Sequence, residues 1–513
     1  MPDPFNHHLY EFGQWAPDEP EYGDSGLSSA LNVVYSSGLY QPVRKLVRHT
    51  IDTNTVVRGC RAFPSLAGAN PLYYGGANFI AYLSGAIQTT LGGVAPAGAT
   101  HWSFTRFGNN VLCADVANPL KVSASLGALA NAITSVLTPR MRYIATIKTH
   151  LFGANVDDGA AGAFNPSKFW WSARNSVADW QPGSNRAGFG EVRKDVGPIS
   201  GVVGFEDFGV LFCEFGVYRI DYVGGDNVWS LRQIGTANQG MSAKDEDSVA
   251  LFGTDIYYWS RGGPNVVISG ETVAELGEGV VRRHLTEKAW IAPGSASVFG
   301  AADSERPLIA WSYGDKAIGI LFNAAAGAWS TFEPPQANAS AGGSTTTLVG
   351  MTTGAERLTI TSSHPGDGID FLITGSGGSN SPGRWRLSNN TTTAAVTLAT
   401  KLWLPYSSKR SMLHYLRILY RALEEGSGNL ATVTPTVTLQ RDSDPLFSAP
   451  ATLTGTPATQ AMVDQNGYIT GAGAGLPAEG HAWRLTLAIP EFSGMVGSLV
   501  GFDAVTSPGS SLY

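Results

Sequence analysis

The residues of this sequence best able to do chemistry are short groups of acids: Glu206-Asp207, Asp245-Glu246-Asp247, Glu271 and Glu275 around Val273 with Glu278, Asn155-Val156-Asp157-Asp158-Gly159, and Asp442-Ser443-Asp444. A carboxylate pair can cleave a glycosidic bond, one acid protonating the leaving oxygen while the other attacks or activates water. Here Glu206-Asp207 falls at an expected turn and 245–247 is a charge run ahead of a strand, so both read as exposed structural acids, as do the acids around Val273. Ser176-Val177-Ala178-Asp179-Trp180 is faintly similar to the aspartate-box turn of sialidases but lacks its Asp-x-Gly core. The oxygens of 155–159 and 442–444 could attract calcium. Neither group has the spacing of an EF-hand loop or its closing bidentate Glu, so polar turns are the better reading. No nucleophile elbow, HExxH, Walker loop or dinucleotide fingerprint occurs. The expectation is a chain with no catalytic, cofactor or metal residues, and not an enzyme.

Other reactive types point the same way. Cys60, Cys113 and Cys213 are few, odd in number and free of a CxxC, which argues against a disulfide framework or zinc site. They are expected to be reduced thiols in the core, dispensable for assembly. His7-His8 reads as a solvated terminal pair. Arg282-Arg283-His284, and Lys409-Arg410 with Arg417 and Arg421, are either solvated faces or salt-bridging groups at a subunit interface or against an acidic partner. The 13 Trp and 18 Tyr suit packing between sheets, though sugar stacking is the other use of such rings.

The elements that must position these residues are strands. Of 513 residues 15% are charged, below the roughly 25% usual in soluble domains, with 62 Gly and 28 Pro. Many turn formers between short apolar runs predict an all-β chain. One unit recurs. Gly201 to Phe205, a turn near Glu206-Asp207, Val210-Leu211-Phe212 and Gly216 to Ile220 form one copy. Ser248 to Phe252, a turn at Gly253 to Asp255, Ile256 to Trp259 and Val266-Val267-Ile268 form the next. Weaker copies turn near Gly108-Asn109, Gly153-Ala154, Ser304-Glu305 and Gly354-Ala355. The turns, marked by Asn109, Phe152, Asp207, Thr254, Glu305 and Glu356, recur every roughly 40 to 55 residues, about the length of a four-stranded propeller blade. The prediction is a β-propeller of about six blades, or seven if Phe79 to Leu83 belongs to one more. Radial closure would also hide the strand edges of so long a meander.

The propeller is expected over 56–400, after an extended N-terminal arm at 1–55 and before a C-terminal β-sandwich at 401–513. The arm is too rich in Pro and Gly for regular elements, save a short helix over Leu27 to Val34. Its spaced aromatics, Phe5, Tyr10, Phe12, Trp15, Tyr22, Tyr35 and Tyr40, predict anchors that find pockets on the lower-numbered blades or the sandwich, of its own or an adjacent subunit. Residues 375–383 read as an exposed loop. The stretch 412–423 fits strand or helix. The start of the chain has no basic and apolar signal pattern, and no run of about 18 apolar residues occurs, so a cytoplasmic origin without a membrane span is expected. A net charge of −7 argues against general nucleic-acid binding, while a passage that DNA slides through must not grip it.

The run Trp170-Trp171-Ser172-Ala173-Arg174, Ser176 to Trp180, Gly197-Pro198-Ile199-Ser200-Gly201-Val202-Val203-Gly204, Gly216 to Ile220 and Tyr222-Val223-Gly224-Gly225 resembles the tail hub, or nozzle, proteins of short-tailed bacteriophages (podoviruses), also called phage stabilisation proteins. Pro17-Asp18, Gly26-Leu27, Asn32-Val33 and the 38–42 turn are similar to that family's start. The resemblance covers most of 10–290, rests on packing motifs, and carries over no catalytic residue. It implies a structural virion protein assembled in the host cytoplasm: a homohexameric ring below the portal adaptor, holding tail fibres or spikes, with a tail needle or plug at its tip. Phage DNA would pass through without sequence-specific binding. The alternatives are a propeller adhesin for a receptor or glycan, and a carbohydrate-active propeller enzyme.

Overall fold

A short apolar run without polar alternation makes a strand only if both of its faces are covered. The computed structural model describes residues 6–20, 26–43, 47–48, 57–63, 65–84, 87–134, 137–158, 164–225, 228–242, 247–289, 298–303, 306–313, 319–333, 357–364, 368–374, 383–386, 392–401, 403, 409–421, 436–442, 451–455, 478–480, 482–489, 492–493 and 498–511. Its strands are covered on both faces by stacking sheet on sheet. Phe208–Cys213 is buried along its whole length, and His150–Asp157 and Asp255–Ser260 nearly so.

Seven four-stranded antiparallel units follow one another in the described residues. The first pairs Cys60–Ala62, Leu72–Gly75, Ile80–Ser84 and Ile87–Thr90. The later ones begin with the inner strands Ser103–Phe107, Arg140–Ile147, Ile199–Gly204, Ala250–Phe252, Val298–Ala302 and Arg357–His364. Arg357–His364 packs beside both Val298–Ala302 and Cys60–Ala62, so the circle closes. The molecule is a seven-bladed β-propeller with the meander order expected for one. The fourth strand of blade seven comes from the other end of the chain: Val47–Arg48 pairs with Gly383–Arg386. The Phe79 to Leu83 fragment lies in blade one, which accounts for the seventh blade.

Apolar clusters lie between blades rather than in one centre. Phe63, Tyr73, Trp102 and Cys113 join blades one and two; Leu112, Ile144, Leu151, Trp170 and Trp180 join two and three; Phe152, Leu211 and Trp229 join three and four; Val210, Phe212 and Tyr258 join four and five. Tryptophans fill these wedges, as their number suggested. Cys113 and Cys213 are buried free thiols, and burial pushes the Cys213 thiol up to about 12. Cys60 departs from the expectation: it is half-buried, because it stands on an innermost strand beside the axis.

Two local expectations are corrected and one open reading is decided. Leu27 to Val34 is not helical: Leu27–Leu31 and Val33–Ser36 are strands, broken by Asn32 at φ 58°. Asn32 earns that conformation with bonds on both sides, its Nδ2 donating to Ala395 O (2.7 Å) and its Oδ1 accepting from Glu333 N (2.9 Å). Gly153-Ala154 lies inside a strand, and the turn of that blade is at Lys148-Thr149, where Lys148 has φ 56°. Of the ambiguous 412–423 stretch, the described residues 412–421 are strand, within Lys409–Arg421, which pairs along Ser498–Ser511. The markers Glu305 and Glu356 and residues 375–382 of the expected 375–383 loop lie outside the described residues, and Gly383 opens a strand.

The first segment of the chain is woven into its far end. Asn6–Glu11 pairs with 501–506 of the Ser498–Ser511 strand. Leu27–Leu31 lies between Ala328–Phe332, the outer strand of blade six, and Val396–Thr400, which leads on to Ala482–Ile489, Thr436–Asp442 and Ala451–Gly455. One nine-stranded sheet therefore runs from blade six into the C-terminal strands.

His150 gives a test of blade packing. It is fully buried; its Nδ1 lies 2.9 Å from Ser172 O, and its ring packs on Tyr222 and Trp229. Burial, with Arg174 and Arg186 nearby, lowers its pKa below 6.5 although the Ser172 carbonyl opposes this. The unfolded chain thus binds a proton that the folded chain refuses. Stability from this site is complete above about pH 6.5 and is lost as pH falls from there toward the folded value. His150→Gln is expected to flatten the fall in thermal midpoint between about pH 7 and about pH 5 relative to the parent. Parallel curves would show that His150 does not couple folding to protons.

Candidate functional site

The inner strands place their side chains and backbones around the axis, and there they leave a pocket of about 190 Å³. Blades one to six all contribute, through Arg61, Ser103, Tyr143, Val202, Leu251 and Ala301 among others. Beside Ser103 and Tyr143, its polar groups are Arg61 from blade one and a pair formed by His101 and Asp247. These two stand on the connections entering blades two and five, and His101 Nε2 lies 3.4 Å from Asp247 Oδ1.

Each group is held by its surroundings. His101 is 5% exposed and meets Tyr143 edge-on at 5.8 Å. Its loop is tied down by buried Asp115, whose carboxylate accepts from the backbone N–H of Thr100, His101 and Ala117 and from Asn118 Nδ2. Arg61 Nη1 donates to Phe104 O at 2.9 Å, and its guanidinium lies 5.9 Å from the Phe63 ring centre. The Arg61 side chain is exposed to the channel.

Ser103 Oγ accepts the N–H of Ile144 (3.1 Å), which stitches blade two to blade three. What the pocket offers is a cation and a hydrogen-bonded imidazole–carboxylate pair.

The acids singled out from sequence are dispersed. Glu206-Asp207 sits in the exposed turn between Gly204 and Gly209. Asp158 takes Lys168 Nζ (2.6 Å) and Trp170 Nε1 (2.9 Å), and Asp157 pairs with Arg140 (3.2 Å). Asp179 accepts from Gln181 N and Ser184 Oγ, a self-contained turn. Glu271 bridges Arg219 of blade four and Arg232, and the Arg232 hydrogen bond holds it below the usual carboxylate range. Fully exposed, it adds little to stability. Asp245, Glu246 and Asp444 lie outside the described residues, and Asp442 ends a strand. Among the described residues no group of three His, Cys, Asp or Glu could hold a metal.

The basic groups also find partners within the chain. Arg282 is 9% exposed, donates to Pro264 O (2.7 Å) and faces Glu275 and Glu278. Asp18, from the N-terminal segment, accepts from the backbone N–H of Arg283 (2.7 Å) and His284 (2.6 Å). Arg417 faces Asp503 at 3.4 Å, as His7 does at 3.6 Å. Sequence reasoning named Asp247 only as part of a charge run and missed Arg61 and His101. Each stands alone in the chain, with no spacing signal; only ring closure brings them together.

No protein-family model matches this chain, and no curated protein matches it. Among solved structures it is similar to the WD40 domain of Pan2 from Neurospora crassa, with 10% identity, a TM-score of 0.42, and 68% of this chain and 97% of that one covered. It is also similar to YCF48 from Cyanidioschyzon merolae, with 11% identity, a TM-score of 0.39, and 67% and 98% covered. No described helix is long and apolar enough to cross a membrane.

Proposed function

We propose that this chain is a non-catalytic assembly component whose propeller presents binding surfaces on a rigid β platform. One observation carries this: Leu27–Leu31 is hydrogen-bonded to blade six on one side and to the C-terminal sheet on the other. Continuous sheet resists the hinge motion expected of domains joined by a linker alone. Such a body suits a role in which fixed surfaces must meet several partners at once.

The more specific form of the proposal is a tail hub, or nozzle, of a short-tailed phage. It is supported by the resemblance of the 170–225 motifs, which lie in blades three and four and their connection. In that role copies would form a ring, with DNA passing along the ring's axis. The axial pocket of a single propeller, about 190 Å³, is far too small for duplex DNA. Light scattering on the purified full chain, alone and with an adaptor protein, is expected to give a ring closed by one repeated head-to-tail interface, of the six copies that the resemblance implies. A monomer under both conditions would overturn the ring.

The adhesin reading draws on one feature, the exposed rings of Phe164 and Phe189 on blade three, the second with Lys168 Nζ 4.2 Å over its face. Saturable binding of the isolated chain to host cells or glycans, lost in Phe189→Ala, would favour it over the hub.

A further inference from the structure

We propose that the axial pocket is a binding site for a compact oxyanion, a carboxylate or phosphate group, with Arg61 as its anchor. This does not rest on the ring or on any phage role.

The first argument is charge. Among the described residues that line the pocket, Asp247 is the one acid, and it is placed against His101 at 3.4 Å. Arg61 has a carbonyl and an aromatic ring for company, and no carboxylate partner among the described residues. That guanidinium is exposed to the channel, so an entering anion would meet a cation that no carboxylate of a described residue already neutralises.

The second argument is geometry. A guanidinium has five N–H donors in a planar fork; the bond to Phe104 O uses one and fixes the plane, leaving others for a bidentate oxyanion. Lysine in its place would supply charge without the fork. The third is space. Gly201, Gly300 and Ala301 put backbone or a methyl at the wall, so the pocket is open where six blades converge and small enough to exclude a bulky ligand.

The test uses the full chain with inorganic phosphate and with malonate as separate probes, against chloride at equal ionic strength, read by titration calorimetry and thermal shift. Saturable binding of either probe at millimolar concentration or below, with a raised thermal midpoint, is expected. Binding of one probe alone identifies the source of the oxyanion. Arg61→Gln should weaken it by about ten- to hundred-fold, the range for a charge-assisted hydrogen bond. Arg61→Lys should fall between. Circular dichroism reports whether each variant folds. No saturable binding by the parent chain overturns the proposal whatever the variants do, and so does equal binding by a folded Arg61→Gln.

Discussion

A chain lacking residues 1–43 is expected to lose the native fold of blade six and of the C-terminal sheets, rather than merely lose contacts with neighbouring copies. Phe12, Trp15, Leu27, Ala30, Val33 and Tyr40 are each less than 5% exposed, and share one core with Trp311 and Trp329 of blade six and with Trp403 and Phe502 near the C-terminus. Tyr10 stacks on Phe502 at 5.0 Å, and Tyr40 donates its hydroxyl to Gly13 O at 2.8 Å. At about 1.5–3 kcal/mol per large apolar side chain, removing four or five of them forfeits on the order of 10 kcal/mol. That rivals the whole stability of a typical protein, about 5–15 kcal/mol. Circular dichroism and limited proteolysis should show lost β structure and rapid cleavage beyond blade five. Trp15→Ala alone should cost about 3–5 kcal/mol in denaturant unfolding. An intact spectrum and unchanged protease resistance in the deletion would mean these strands are dispensable. Because these rings are already buried in their own chain, an assembly defect in the deletion would report unfolding and not ring contacts. Ring formation is better probed at surfaces that remain exposed, such as Leu9.

The propeller was legible because its signal is local and repeated. An apolar run, a Gly-containing turn and an aromatic run, as at 248–259, suffice to mark a hairpin, and the spacing of hairpins marks blades. Blade one was hard to read because only its Phe79 to Leu83 fragment stood out, and the last blade was only partly legible because its outer strand, Val47–Arg48, is separated in sequence from the three strands it completes. Leu27–Leu31 misled for a related reason. Its neighbours, Thr331 and 397–400, are hundreds of residues away, and local propensity carries no trace of them. The same holds for the axial pocket. Arg61, His101 and Asp247 lie on different blades, and nothing in their flanking residues distinguishes an arginine facing the axis from one facing solvent. Acids that looked like a site when read in a row, such as Asp157-Asp158, proved to be neighbours in sequence serving separate local partners.

Near the axis the blades approach so closely that backbone meets backbone, and there a single methyl group should be costly. A Cβ on Gly300 would enter the van der Waals shell of Ser248 O, from the connection leading into blade five, and lie 2.9 Å from Trp311 Cδ1. That carbonyl already accepts the Trp311 indole N–H at 2.9 Å, so the added methyl must displace a bonded backbone group or a fully buried tryptophan. Gly204 is in the same position against Thr146 O, between blades four and three. A flexible side chain could yield cheaply; a carbonyl fixed within a neighbouring blade cannot. Overpacking usually costs about 1–3 kcal/mol, and loss of the indole bond would add about 1 kcal/mol. Gly300→Ala is therefore expected to destabilise by about 2–4 kcal/mol, lowering the denaturant midpoint with the slope unchanged. Gly108→Ala is the control: its φ is +61° at an open turn, with no atom within 4 Å of the new Cβ. It should cost only the left-handed backbone penalty, about 1–2 kcal/mol. If Gly300→Ala proves as stable as the parent, or costs less than Gly108→Ala, the blades are not in backbone contact at the axis.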